Sequence, residues 1–381
     1  MIIENSSNSN EECVQDNDLE LCKVKRVSIL DLIWIVSMIL QRIISFGVNL
    51  YLLVHYYMNN LEDYFIWTLT CMIASLILTT IIHSYIHSHG KVGSFIKCCH
   101  VIIFAITFRY TRLLYYSLLS RKHDKEKNKH LHLEYYKKVI REDSDLALLR
   151  IFECFFEVAP QTILQIVIVI LGRNVAWIQI SSICQSLIGL SWCMVTYQRY
   201  NRFSQADKEN MSLQGAAFYT LYHFCIATSR ILSISFILLI NEFRIIVLLA
   251  GIFHSLICGS LIFFYLKPVF MSENIISSIL FCGILGVIYI FVFLMPAEGD
   301  TKIPSTIYHA LSLIEIFLMS YAFYAYNKIL FEDGLVIFLT VLPIFLFCFG
   351  IIIMIYYYMK LHPTKKAFRD ISRNINSSNE K

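Results

Sequence analysis

Long apolar runs separated by short polar breaks occupy most of this chain. The runs fall at about 29–57, 64–86, 93–119, 146–171, 175–198, 213–240, 244–266, 275–295, 306–330 and 335–359. Each is near the roughly 20 residues that a helix needs to cross a hydrocarbon core about 30 Å thick. One polar break is long: 120–145, dense in lysine and mixed in sign. Its pattern predicts a solvated loop or an amphipathic surface helix. The pattern as a whole predicts an all-α polytopic membrane protein.

Composition supports this and narrows the functions. The chain is 57% hydrophobic and 16% charged, where a soluble domain carries about 25% charged residues. A net charge of +4 points to no nucleic acid. The first 28 residues are polar, so no cleaved signal peptide is expected. Most of the 12 cysteines sit inside apolar runs, without the spacing of metal ligands or of a disulfide framework. There is no phosphate-binding glycine loop and no serine elbow. His83 and His87 share a helix face, yet no acidic residue is adjacent, which argues against a metal. The expectation is a protein without cofactor, metal or enzymatic chemistry.

Loop charge sets the topology. The N-terminal tail, the 120–145 segment, the 199–212 loop, Lys267 and the C-terminal tail are basic, which places them on the cytoplasmic side. Ten spanning runs cannot satisfy all of these. Eight spanning helices and two re-entrant ones can, with 93–119 and 275–295 as the re-entrant pair. Each then stands third within its half of the chain. The expected plan is a disordered cytoplasmic tail (1–28), a membrane domain (29–359) in two pseudo-repeated halves (about 29–210 and 211–359), and a cytoplasmic tail (360–381).

The chemistry lies inside the runs. Glu153, Glu157, Gln161 and Gln165 recur every four residues, so on a helix they form one polar stripe, which Arg150 extends. Pro160 interrupts that helix. With a start near Leu146, Glu157 lies about 16 Å deep, near the midplane. An ionisable group there costs roughly 2.5 kcal/mol or more unless paired or hydrated. Arg109, Arg112, Arg230 and Glu315 are further intramembrane charges; Arg42 and Arg244 read as arginines that snorkel to an interface. A track bearing both signs suits a phospholipid headgroup better than a simple ion. Arginine holds phosphate by forked hydrogen bonds, and carboxylates hold an amine. A small-solute transporter, or a membrane partner whose charges only lock helices, would use the same residues.

The segment DSDLALLRIFECFFEVAPQTILQ, with Ser186–Arg202, Ser229-Arg230, Gly251 to His254, Gly286–Phe291, Glu298 to Thr301, Glu315 and the YYYMKLHP stretch, resembles the XK-related family in order along the chain. That family includes the Kx antigen and apoptotic phospholipid scramblases. The resemblance implies two pseudo-repeated halves and, for some members, ATP-independent exposure of phosphatidylserine at the plasma membrane. It also implies activation by caspase cleavage of a tail and, for some members, a single-pass immunoglobulin-like membrane partner. Asp16 and Asp370 are the candidate cleavage positions. Two departures stand out. Ser45 and Asn49 occupy the first helix around Gly47, where the family carries acids, and Ile316 follows Glu315 in place of asparagine.

Overall fold

The computed structural model describes residue 27 and residues 29–88, 105–172, 177–203, 211–266, 275–294, 302–327 and 333–362. Asp16 and Asp370 lie outside the described residues, as does most of both tails. Among the described residues the secondary structure is helical, without strands. In chain order the helices are α1 (Ile29–Met58), α2 (Glu62–Ser88), α3 (Ala105–Lys125), α4 (Lys129–Glu153), α5 (Ala159–Ile170) and α6 (Trp177–Phe203), followed by α7 (Leu213–Ile237), α8 (Arg244–Leu261), α9 (Ile275–Ile288), α10 (Lys302–Asn327) and α11 (Asp333–Tyr356). A π-helical turn, Cys154–Val158, joins α4 to α5 without a break.

Eight of these stretches are long and apolar enough to cross a membrane, counting α4 and α5 as one of 42 residues. Among the described residues the two that fall short are α3 and α9, the helices whose runs the loop charges set apart. The 14 described residues of α9 reach about 21 Å, less than the hydrocarbon thickness. The chain is therefore an all-α, multi-pass membrane protein.

The lysine-rich segment departs from the sequence expectation. Residues 120–145 are neither a loop nor a lone surface helix but the tip of a helical hairpin. Helix α3 continues to Lys125, Lys127 turns the chain with φ 58°, and the Asn128 side chain accepts a hydrogen bond from Leu131 N at 3.4 Å to cap α4. Helix α4 thus begins at Lys129, not at 146. The reason is a seam that the lysines conceal. Ser117, Ser120, His132 and Tyr136 are buried between the two helices, and the His132 ring lies 2.9 Å from the Ser120 carbonyl. Charge on the outer face and packing on the inner one are compatible on a helix.

Pro160 produces the expected irregularity one turn earlier. Proline lacks the N–H that an α-helix would use, and the chain widens into i→i+5 hydrogen bonding just before it, Ala159 N–H reaching the Cys154 carbonyl. This turn carries Glu157.

Helix α7 and the α4–α5 stretch are the most buried spans, and α8 and α1 the least. Helix α7 packs against α5, α6, α10 and α11. Along the same seam Phe152 meets Phe281 at 6.2 Å and Phe155 meets Phe291 at 5.9 Å. The phenylalanines of the polar-striped helix therefore hold α9 and its continuation. Helix α9 lies directly on α8. A Cβ at Gly286 would overlap the Ser255 carbonyl, so only glycine permits this approach.

Candidate functional site

The intramembrane charges form three groups. In the first, the stripe on α4 and α5 faces inward: Arg150, Glu153, Glu157, Gln161 and Gln165 are all buried. Glu153 pairs with Arg42 of α1, and Arg150 Nη1 lies 3.4 Å from Glu153 Oε2. Asn49 Nδ2 donates to Glu157 Oε1 at 3.0 Å. Arg42 is therefore not a snorkelling arginine. It lies in the middle of α1, faces the bundle, and neutralises the first glutamate of the stripe. Asn49 supplies a donor to the second. Beyond Glu157 the stripe is not satisfied: Gln161 Nε2 and Gln165 Oε1 are buried with no hydrogen-bond partner among the described residues. Each such group costs about 1–3 kcal/mol.

The second group stands apart from the stripe. Arg109 donates from Nε to His83 Nδ1 at 2.6 Å and from Nη1 to Asp145 Oδ2 at 2.6 Å and Glu142 Oε2 at 3.3 Å. Arg112 reaches Glu142 Oε1 at 2.6 Å. Glu142 lies eleven residues before Glu153, about 16 Å along the helix. The network ties α3 to α2 and α4, and Arg109 is fully enclosed. His83 acts as an acceptor here, and no cluster of metal-ligating side chains occurs among the described residues.

The third group belongs to the second half. Arg230 of α7 donates from Nε to the Ile290 carbonyl at 2.9 Å, and its Nη2 meets Glu315 Oε2 of α10 at 2.6 Å. His254 of α8 lies 3.1 Å from Glu315 Oε1 through Nδ1 and 3.3 Å from the Tyr289 carbonyl through Nε2. Both ring nitrogens lie within hydrogen-bond distance of oxygen acceptors, and which of them donates depends on the tautomer. Arg230 Nη1 is buried and makes no hydrogen bond among the described residues. Glu315, unlike the first-half glutamates, has a side chain 36% exposed. It sits at the middle of α10, between the exposed apolar residues Leu311, Ile314, Phe317 and Leu318.

The family profile described as XK-related protein matches residues 32–363. The chain belongs to the XK-related protein family. Among curated proteins, Cell death abnormality protein 8 of Caenorhabditis briggsae is 26% identical over 287 residues, 72% of this chain and 61% of that protein. The match thus spans less than two thirds of the relative's length.

The departures of this XK-related protein from the family pattern now have a local account. Asn49, where acids are usual, is the hydrogen-bond partner of Glu157. Ile316, after Glu315, is fully buried in the core. Two contributors escaped sequence reasoning. His254 stands in the Gly251 to His254 stretch, and its place about two turns or more from either end of α8, in an apolar run, is the available signal. Arg42 looked like an interface residue because a single charge in an apolar run does not reveal which neighbour it faces.

Proposed function

We propose that this XK-related protein is an ATP-independent phospholipid scramblase of the plasma membrane that exposes phosphatidylserine in dying cells. The observation that carries the reading is the Arg230–His254–Glu315 group. It is a partly exposed cluster of arginine, histidine and glutamate, halfway along a lipid-facing helix, with an arginine N–H not yet used. A passing headgroup gains there. Its phosphate accepts hydrogen bonds from Arg230, its amine meets Glu315, and its acyl chains stay in lipid against α8 and α10. The barrier lowered is that of taking a zwitterion through hydrocarbon, so neither a covalent step nor a cofactor is called for. The half-satisfied Gln161 and Gln165 extend the same polar chemistry inside the bundle.

The cell-death relative supports a role in apoptosis. In this reading both tails are cytoplasmic, a caspase acts at Asp16 or Asp370, and a single-pass immunoglobulin-like protein accompanies the chain. A second reading has a specific observation behind it. The first-half group is closed, which fits a membrane partner whose charges only lock helices.

Reconstitution into liposomes with a fluorescent phospholipid separates the two. Dithionite bleaches about half of the dye, the outer leaflet's share, when lipid does not flip, and nearly all when it does. Full-length and tail-cleaved protein are assayed side by side. Bleaching that stops at half in both, with and without the accessory protein, rules out scrambling by this chain.

A further inference from the structure

The tip of the α3–α4 hairpin carries a charge that its own residues do not balance. Between Arg121 and Arg141 the chain has eight lysines and arginines against three acids, a net charge of +5. Two of those acids have partners nearby. Glu126 lies 3.9 Å from Lys122 and 3.0 Å from His123, and Glu134 lies 2.6 Å from Lys138. Lys125, Lys127 and Lys129 surround the turn. All three are exposed and make no ion pair among the described residues. Lys127 holds the left-handed φ of 58°, a conformation that glycine or asparagine adopts at less cost.

Anionic headgroups or a stretch of acidic chain could cover these lysines, and distance decides between them. Lys129 lies 17 residues before Leu146, where the apolar run begins, on one continuous helix. At the rise of an α-helix that is about 26 Å. The headgroup layer is only about 5–8 Å deep, and charges are screened beyond about 8 Å at physiological ionic strength. The tip therefore stands clear of the leaflet.

The acidic chain is within reach. Residues 4–20 contain Glu4, Glu11, Glu12, Asp16, Asp18 and Glu20 and no lysine or arginine. They lead into α1, whose first turn lies at the foot of the hairpin. Asp31 of that turn is 3.9 Å from Arg199, and both lie beside Asp143 of α4. Asp143 is 14 residues from Lys129, about 21 Å along the helix. Glu20 is nine residues from Ile29 and Asp16 thirteen, so an extended chain carries them up to about 30 Å and 43 Å from it. The tether makes the encounter intramolecular.

We propose that the lysine tip of the α3–α4 hairpin is a docking surface for the chain's own acidic segment, residues 4–20, with Asp16, Asp18 and Glu20 on Lys125, Lys127 and Lys129. Each exposed pair is weak by itself, and the tether and the number of pairs make the contact persist. The contact ties the neighbouring ends of α1 and α4, the two helices that share the Arg42–Glu153 pair. It needs only that both charges lie at one end of the bundle, so it stands independently of the scramblase reading.

The test treats full-length protein, in neutral detergent and in phosphatidylcholine nanodiscs, with a water-soluble carbodiimide. This reagent joins a carboxylate to an amine only where the two touch. A mixture of ordinary and heavy-isotope-labelled protein separates links within a chain from links between chains. Peptide mapping should show links within a chain from residues 11–20 to residues 125–129. Salt at 1 M, where the screening length is about 3 Å, should cut their yield several-fold. Lys125→Glu with Lys127→Glu and Lys129→Glu should abolish them and leave melting unchanged, because all three lysines are exposed. Adding Asp16→Lys, Asp18→Lys and Glu20→Lys to that variant should restore the links with amine and carboxylate exchanged. No link in the parent, or links that survive the first charge reversal, overturns the docking. Links between labelled and ordinary chains assign the tip to a second copy and overturn the intramolecular contact. Acetylation of the three lysines should be equally slow with and without phosphatidylserine in the nanodisc; protection that appears only with phosphatidylserine makes the leaflet the occupant and overturns the proposal.

Discussion

The two halves of the chain each pair an arginine on their first helix with a glutamate on their fourth run. In the first half Arg42 of α1 meets Glu153 of α4; in the second Arg230 of α7 meets Glu315 of α10. The chemistry is the same and the setting is not. Glu153 is 2% exposed, with a second arginine beside it and a neighbour, Glu157, held by Asn49. Glu315 is open to the side of the bundle, backed by His254 on the sparsely packed α8. One pair is closed off by its neighbours and the other is open; on the proposed function the first is a lock and the second a step on a path. What separates them is how the surrounding helices pack, because helical spacing alone places both at similar depth.

The sharpest way to break this comparison is to remove one partner of the closed pair. Arg42→Ala should leave Glu153 buried with only the distant Arg150 contact, costing about 3–5 kcal/mol. The expected outcome is loss of monodisperse protein in detergent, read by size exclusion and thermal denaturation. Replacing both partners, Arg42→Met with Glu153→Leu, should recover most of that stability, because two apolar groups of similar volume need no pairing. A single variant as stable as the parent would show that the pair is no lock.

Helix packing builds the open side, and Gly286 is its narrowest point. Gly286→Val should push α9 away from α8, with a cost of about 1–3 kcal/mol from overpacking. Because Ile290, which anchors Arg230, follows on the same segment, the groove around Glu315 should change shape. A cysteine introduced at Leu311 should then react with a membrane-permeant thiol reagent at a different rate than in the parent. Equal rates and equal melting would mean that α9 does not set the groove.

Glu315→Gln tests the open pair itself. The carboxylate is part-exposed, so losing its charge should change melting little, near the upper end of the 0–1 kcal/mol seen for exposed pairs. Scrambling should nevertheless slow about tenfold, or about 1.4 kcal/mol of barrier. A variant that scrambles at the parent rate removes Glu315 from the path; one that fails to fold makes the second-half pair a lock as well.

The sequence made some of this legible and hid the rest for physical reasons. Apolar length alone gives ten runs, and the charge on the loops reduces them to eight spans by setting α3 and α9 apart. The four-residue spacing of the α4–α5 stripe is visible because a helix repeats nearly every four residues. The hairpin at 120–145 was hidden because lysines on the outer face dominate the composition, while its seam consists of serine, histidine and tyrosine. The partner of Arg42 was hidden because one charge carries no periodicity. The difference between a closed and an open ion pair depends on neighbours more than 100 residues away, such as Arg42 for Glu153, and no local pattern encodes it.

The smallest change is also the most discriminating. Gln161 has a buried amide nitrogen without a partner, at the point where the closed group gives way to an apolar helix end. Gln161→Leu is close in shape and removes the unsatisfied donor, so melting should be unchanged or raised by up to about 1 kcal/mol. Stability therefore does not explain why the glutamine is there. If lipid headgroups pass through the first half, Gln161→Leu should slow scrambling while the protein grows no less stable. If the first half is only a lock, the same variant should scramble at the parent rate, and the path runs along Arg230, His254 and Glu315 alone. Either rate decides whether the two halves share the work or divide it, with one bracing the bundle and the other carrying the lipid.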